Sequence, residues 1–124
     1  MSSLTDYAKN VLARAVCGRS PVLPSAVYLA LGTGGSDPTG ISGEPVGNGY
    51  ARQRVTFTGT GVQQNAEAVR FTFTAAAGTY SHVGLFDAAS SGNALTWASL
   101  SAPVAISGPG TVTINPGGLT MTGD

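Results

Sequence analysis

The sequence predicts a mainly β fold, an antiparallel β-sandwich or barrel of about eight short strands with one N-terminal amphipathic helix. Three observations predict it. Apolar residues recur at helical spacing over about residues 4–17 and nowhere else. From residue 20 onward the runs are short, and several alternate apolar with polar. Eighteen Gly and seven Pro are spread between those runs as turn signals.

The helix rests on Leu4, Tyr7, Ala8, Val11, Leu12, Ala15 and Val16, one stripe of a 3.6-residue period. Ser3-Leu4-Thr5-Asp6 has capping-box spacing, and Gly18 suits the left-handed stop. At four turns such a helix is marginal alone, so the stripe is expected to pack inward on the β domain, with a partner chain as the other possible cover. Cys17 reads as a small buried packing residue.

Ala26–Leu31 is an almost unbroken apolar run, expected as a central strand buried on both faces. Residues 32–49 follow with seven Gly and two Pro, read as a long structureless loop that either wanders over the surface or reaches a neighbouring subunit. Tyr50–Thr58 and Val69–Thr74 alternate, and if they are neighbouring strands Arg52, Arg54 and Arg70 project from one face. That face is either simply solvated or meets carboxylates on a partner, because Arg forks onto carboxylates. Ser81–Asp87 and Ala94–Leu100 read as a hairpin, with Asp87 capping its turn. Pro103–Ile106, Thr111–Ile114 and Leu119–Thr122 complete the strands.

Length and composition bound the function. The 124 residues, 12.4 kDa, suit a single domain spanning 1–124. Six Lys plus Arg balance six Asp plus Glu, so no overall field draws the chain to nucleic acid or an anionic membrane. Weak self-repulsion at zero net charge suits an assembled chain, and an oligomer is expected. The lone Cys17 excludes an internal disulfide. No window has the length of a membrane span, and Met1–Asp6 lacks the pattern of a secretory signal, so the chain is expected to be made in a cytoplasm.

Catalysis needs convergent titratable groups. The single imidazole, His82, lies within an apolar strand and reads as a hydrogen-bonded structural residue. Asp6, Asp37, Glu44, Glu67, Asp87 and Asp124 are scattered, without the spacing of an acid–base dyad or a metal cluster. The glycine-rich segment lacks the Gly-Lys-Ser/Thr ending of a phosphate loop, and Gly40-Ile41-Ser42-Gly43 is one residue short of a nucleophile elbow. The aromatics alternate on strands as core residues do. The reading is therefore no enzyme, no cofactor and no metal. The candidate functional residues are interface residues: Gly34, Gly35, Asp37 and Glu44 in the loop, with Tyr50, Arg52, Arg54 and Arg70 beside it.

The order of Leu4-Thr5-Asp6-Tyr7-Ala8, Val27–Leu31, Gly49-Tyr50-Ala51-Arg52-Gln53, His82–Ala88 and Gly118–Thr122 resembles a family of small tailed-phage virion proteins, often labelled phage tail fibre proteins. The likeness runs nearly end to end and implies a Gly-rich β domain with an N-terminal helix and a place in the virion. Lacking repeats or spare length for a shaft, the chain is expected as a head decoration or cement protein on the capsid surface. A trimer around a local threefold, contacting the major capsid protein or other virion proteins, is the expected form. A tail fibre or fibre-associated adhesin module is the alternative, and a carbohydrate-binding sandwich the third reading.

Overall fold

The computed structural model describes residues 3–121; Thr122 and Asp124 lie outside the described residues. The elements in chain order are β1 (Ser3–Leu4), α1 (Asp6–Val16), β2 (Val27–Gly32), β3 (Gly34–Ser36), β4 (Gly40–Ser42), β5 (Gln53–Val55) and β6 (Phe57–Thr58). After them come β7 (Gln63–Asn65), β8 (Val69–Phe73), β9 (Gly78–Phe86), β10 (Ala94–Ile106), β11 (Gly110–Ile114) and β12 (Thr120–Met121). The fold is mainly β with one N-terminal helix, and all of its strand pairs are antiparallel.

The main sheet has five strands in the order β1-β10-β9-β2-β5. Around it lie the ribbon β11-β8, the sheet β12-β7-β6 and the hairpin β3-β4. None of these sheets closes on itself, so the barrel alternative is set aside. Among the described residues twelve strands replace the expected eight: β3 and β4 form within the segment read as a loop, β1 precedes the helix, β7 lies in a polar stretch, the Tyr50–Thr58 run is split into β5 and β6, and Pro103–Ile106 joins β10.

Residues 3 and 4 explain where the helix begins. Ser3 pairs with Trp97 and Leu4 with Thr96, and this extended backbone delays the first helical turn to Asp6. Thr5, not Ser3, is the N-cap: its Oγ1 accepts from the Ala8 N–H at 3.2 Å and donates to the Ala94 carbonyl at 2.6 Å. The same hydroxyl thus caps the helix and ties it to the main sheet. Gly18, at φ +74°, supplies the left-handed stop that its position predicts.

The inward stripe is only half realised. Leu4, Ala8 and Val11 are buried, whereas Tyr7, Leu12, Ala15 and Val16 are exposed. Cys17 is exposed as well, contrary to the sequence reading, because the end of the helix, with Ala15 and Val16, is left uncovered.

The core gathers Leu29, Leu31, Phe71, Phe73, Val83, Leu85 and Ile106. β2 is the expected central strand: it lies between β9 and β5, and Leu29, Ala30 and Leu31 are buried on both of its faces. β9 and β10 form the expected hairpin, longer than its apolar runs suggested. Pro103–Ile106 is not a separate strand but continues β10 past a register shift between Ser99 and Val104, the kind of irregularity at which a sheet tolerates proline.

Candidate interaction surface

The glycine-rich segment 32–49 is not structureless. Residues 34–36 and 40–42 pair as the hairpin β3-β4, which folds back over β10. Its glycines are required by that closeness. A Cβ on Gly35 would lie 2.6 Å from Cε3 of Trp97, and one on Gly32 would lie 2.7 Å from the Ser42 carbonyl. Asp37, in the hairpin turn, accepts from the Trp97 indole N–H at 2.8 Å and from Lys9 Nζ at 3.1 Å. The Trp97 bond, followed by the Lys9 bond, holds the Asp37 carboxyl below the ordinary carboxylate range. Gly34, Gly35 and Asp37 thus have contacts within the chain itself.

Glu44, Tyr50 and Arg52 form a clamp. Arg52 donates from Nε to Glu44 Oε2 at 2.8 Å and from Nη2 to Oε1 at 2.9 Å, a two-bond fork. Its Nη1 donates to the carbonyls of Ser91 at 2.8 Å and Ala88 at 3.1 Å, and its guanidinium carbon lies 3.7 Å from the Phe86 ring centroid. Tyr50 Oη donates to Glu44 Oε2 at 2.6 Å and accepts from the Leu31 N–H at 3.2 Å. Burial opposes the charge on Glu44, but the bonds from Arg52 and Tyr50 outweigh it and lower its pKa. Burial and then the Glu44 bond push the Tyr50 phenol far up, so it stays a donor. One guanidinium therefore joins the end of the glycine-rich segment to the β9–β10 turn.

That turn is built as expected. Asp87 accepts from the Asn93 backbone N–H at 2.7 Å and from its side-chain amide at 3.0 Å. His82 is half-buried, with Nδ1 2.8 Å from Ser81 Oγ and its ring stacked on Trp97.

The three arginines do not share a face. β5 pairs with β2 and β8 with β11, so the strands carrying Arg54 and Arg70 pack side by side without hydrogen-bonding each other, and Arg52 turns into its clamp. Arg54 and Arg70 remain exposed and form no ion pair among the described residues. Sequence reasoning could not foresee this division, because nothing local distinguishes Arg52 from Arg54.

What the sequence reading missed is an apolar groove of about 390 Å³ between α1 and residues 22–25, lined by Tyr7, Val11, Leu12, Val22, Leu23 and Leu95. Val22 in its lining is 89% exposed, and Val16 at the end of α1 is 87% exposed. The available signal was Val22-Leu23, apolar residues in a Pro-flanked connection with no strand to bury them.

Among the described residues no group of three or more His, Cys, Asp or Glu is placed to hold a metal ion, and no helix is long and apolar enough to cross a membrane. The surface features that the structure shows are the apolar groove beside α1 and the exposed Arg54 and Arg70. No curated protein matches the chain. A family described as Podophage GP4 fiber I protein gp80 matches residues 3–122, nearly the whole length. The chain belongs to that family, and is a non-enzymatic phage structural protein of the fibre kind.

Proposed function

We propose that the chain is a single-domain subunit of a phage tail fibre, or of a fibre-associated module, and that it joins other virion proteins through its surface. The family description carries this reading and favours it over head decoration, which had rested on the lack of a shaft. The surface supports it too. Tyr7, Leu12, Val16, Val22 and Leu23, all large apolar side chains, are exposed within one stretch of the chain. Clustered apolar exposure of this kind marks contact with protein rather than with water. Arg54 and Arg70 would add forked contacts to carboxylates at a second place on the surface.

The test is location and copy number. Antibody labelling of intact virions should mark the tail, and quantitative staining should give a copy number of a tail appendage. Label spread over the capsid at hundreds of copies would return the chain to head decoration.

A further inference from the structure

We propose that the pocket over the Glu44–Arg52 clamp is a saccharide site, which takes a neutral sugar unit through two of its adjacent hydroxyls. The inference concerns the isolated chain and does not depend on where in the virion the chain sits.

The pocket has a volume of about 350 Å³, within the ~300–1,000 Å³ usual for small-ligand sites. It lies between residues 44–47, at the end of the glycine-rich segment, and residues 89–91 in the β9–β10 turn. The clamp is its floor, and that floor is nearly but not fully satisfied. Three bonds reach the Glu44 carboxylate, two at Oε2 and one at Oε1, so Oε1 keeps a lone pair. The Glu44 side chain is 27% exposed and can be reached. The Arg52 guanidinium donates through Nε, through both hydrogens of Nη1 and through one hydrogen of Nη2. Its second Nη2 hydrogen has no acceptor among the described residues.

The ligand class follows from what is left over. Guanidinium and carboxylate cancel each other's charge, so the floor favours neither an anion nor a cation. It offers one donor beside one acceptor, on atoms 2.9 Å apart. Adjacent ring hydroxyls match this pair: one oxygen accepts from Nη2 while its neighbour donates to Oε1, and both bonds are strengthened by the charge on the protein atom. Ser90 and Ser91 are exposed in the lining, and their hydroxyls, which both donate and accept, make no bond among the described residues. Val46, Ala51 and Ala89, all exposed, give an aliphatic wall for the C–H groups of the ring. The Tyr50 ring is stacked on Phe71 and Phe73, so selection falls to the hydroxyl contacts. A peptide backbone is the other neutral donor–acceptor, but none of the lining residues belongs to a strand that could pair with it.

NMR titration of the amide-labelled full chain tests the site. The probes are the methyl glycosides of glucose, galactose and mannose and, beside them, the polymers dextran, galactan and mannan. At least one sugar should give saturable shifts in the millimolar range, confined to residues 44–52 and 88–93. Tighter binding of the polymer identifies a sugar chain as the ligand, and equal binding a single sugar; both support the site. Ser90→Ala/Ser91→Ala should keep the wild-type melting temperature and weaken binding roughly tenfold, whereas Leu12→Asp, in the α1 groove, should bind as wild type does. Absence of saturable shifts with every sugar overturns the proposal, as do shifts centred on the α1 groove or a serine variant that binds like wild type. Shifts at the pocket with a blocked alanine peptide and with no sugar overturn it in favour of a peptide ligand.

Discussion

Gly35 lies directly against the indole of Trp97, so close that a single added methyl group would overlap Cε3 at 2.6 Å. This contact, with the bond from the indole N–H to Asp37, is why a segment rich in glycine is a hairpin seated on the main sheet rather than a loop free to reach outward. The hairpin is part of the packed structure, and its removal is expected to destabilise the chain rather than leave it intact.

Gly35→Ala should lower stability by about 1–3 kcal/mol, the usual cost of overpacking. Trp97 is the single tryptophan, so its emission reports the displacement directly. Thermal melts should show a lower Tm together with an altered emission maximum. An unchanged Tm and spectrum would mean that the hairpin does not hold this position in solution.

Arg52 and Arg54 should behave as opposites although they are two residues apart. The Arg52 side chain is 9% exposed, and its removal strands Glu44, which is also largely covered, together with the carbonyls of Ala88 and Ser91. Arg52→Ala is expected to cost about 2–3 kcal/mol in urea denaturation. Arg54→Ala, at an exposed position, should stay within about 0.5 kcal/mol.

The same clamp predicts an acid dependence. Glu44 has a lower pKa in the folded chain than in the unfolded one, so its contribution is fully present above the ordinary carboxylate pKa of about 4.3 and is lost as pH falls through the lowered folded value. Denaturation midpoints should change little between about pH 7 and 5 and fall below about pH 4. Asp37, lowered as well, contributes to the same fall. The difference between wild type and Arg52→Ala isolates Glu44: it should shrink as the pH drops, and a constant difference would exclude the clamp as its source.

Asn65 is buried and its side chain makes three hydrogen bonds, two of them to the C-terminal segment. Nδ2 donates to the carbonyls of Glu67 and Asn115, at 2.9 and 3.0 Å, and Oδ1 accepts from the Leu119 N–H at 2.9 Å. Asn65→Ala should lose about 2–4 kcal/mol by urea denaturation, since it leaves three backbone groups without their partner. Asn65→Asp should be no milder, because a carboxylate would face two carbonyls with nothing to donate.

The elements legible in sequence are those whose cause is local. Apolar spacing placed α1 and the left-handed stop at Gly18. An unbroken apolar run placed β2 at the centre of a sheet, and alternation placed β8, whose Val69, Phe71 and Phe73 are all buried. The Asp87 cap was readable because its partner, Asn93, is six residues away in one turn. The tertiary structure decided what depends on distant neighbours. Whether residues 32–49 wander or fold depends on Trp97, some sixty residues along the chain from Asp37. Whether an arginine is free or clamped depends on Glu44 and on carbonyls at 88 and 91. Periodicity records which residues avoid water, whereas hydrogen-bond partners and the lining of the groove beside α1 are set only when segments distant in the chain come together.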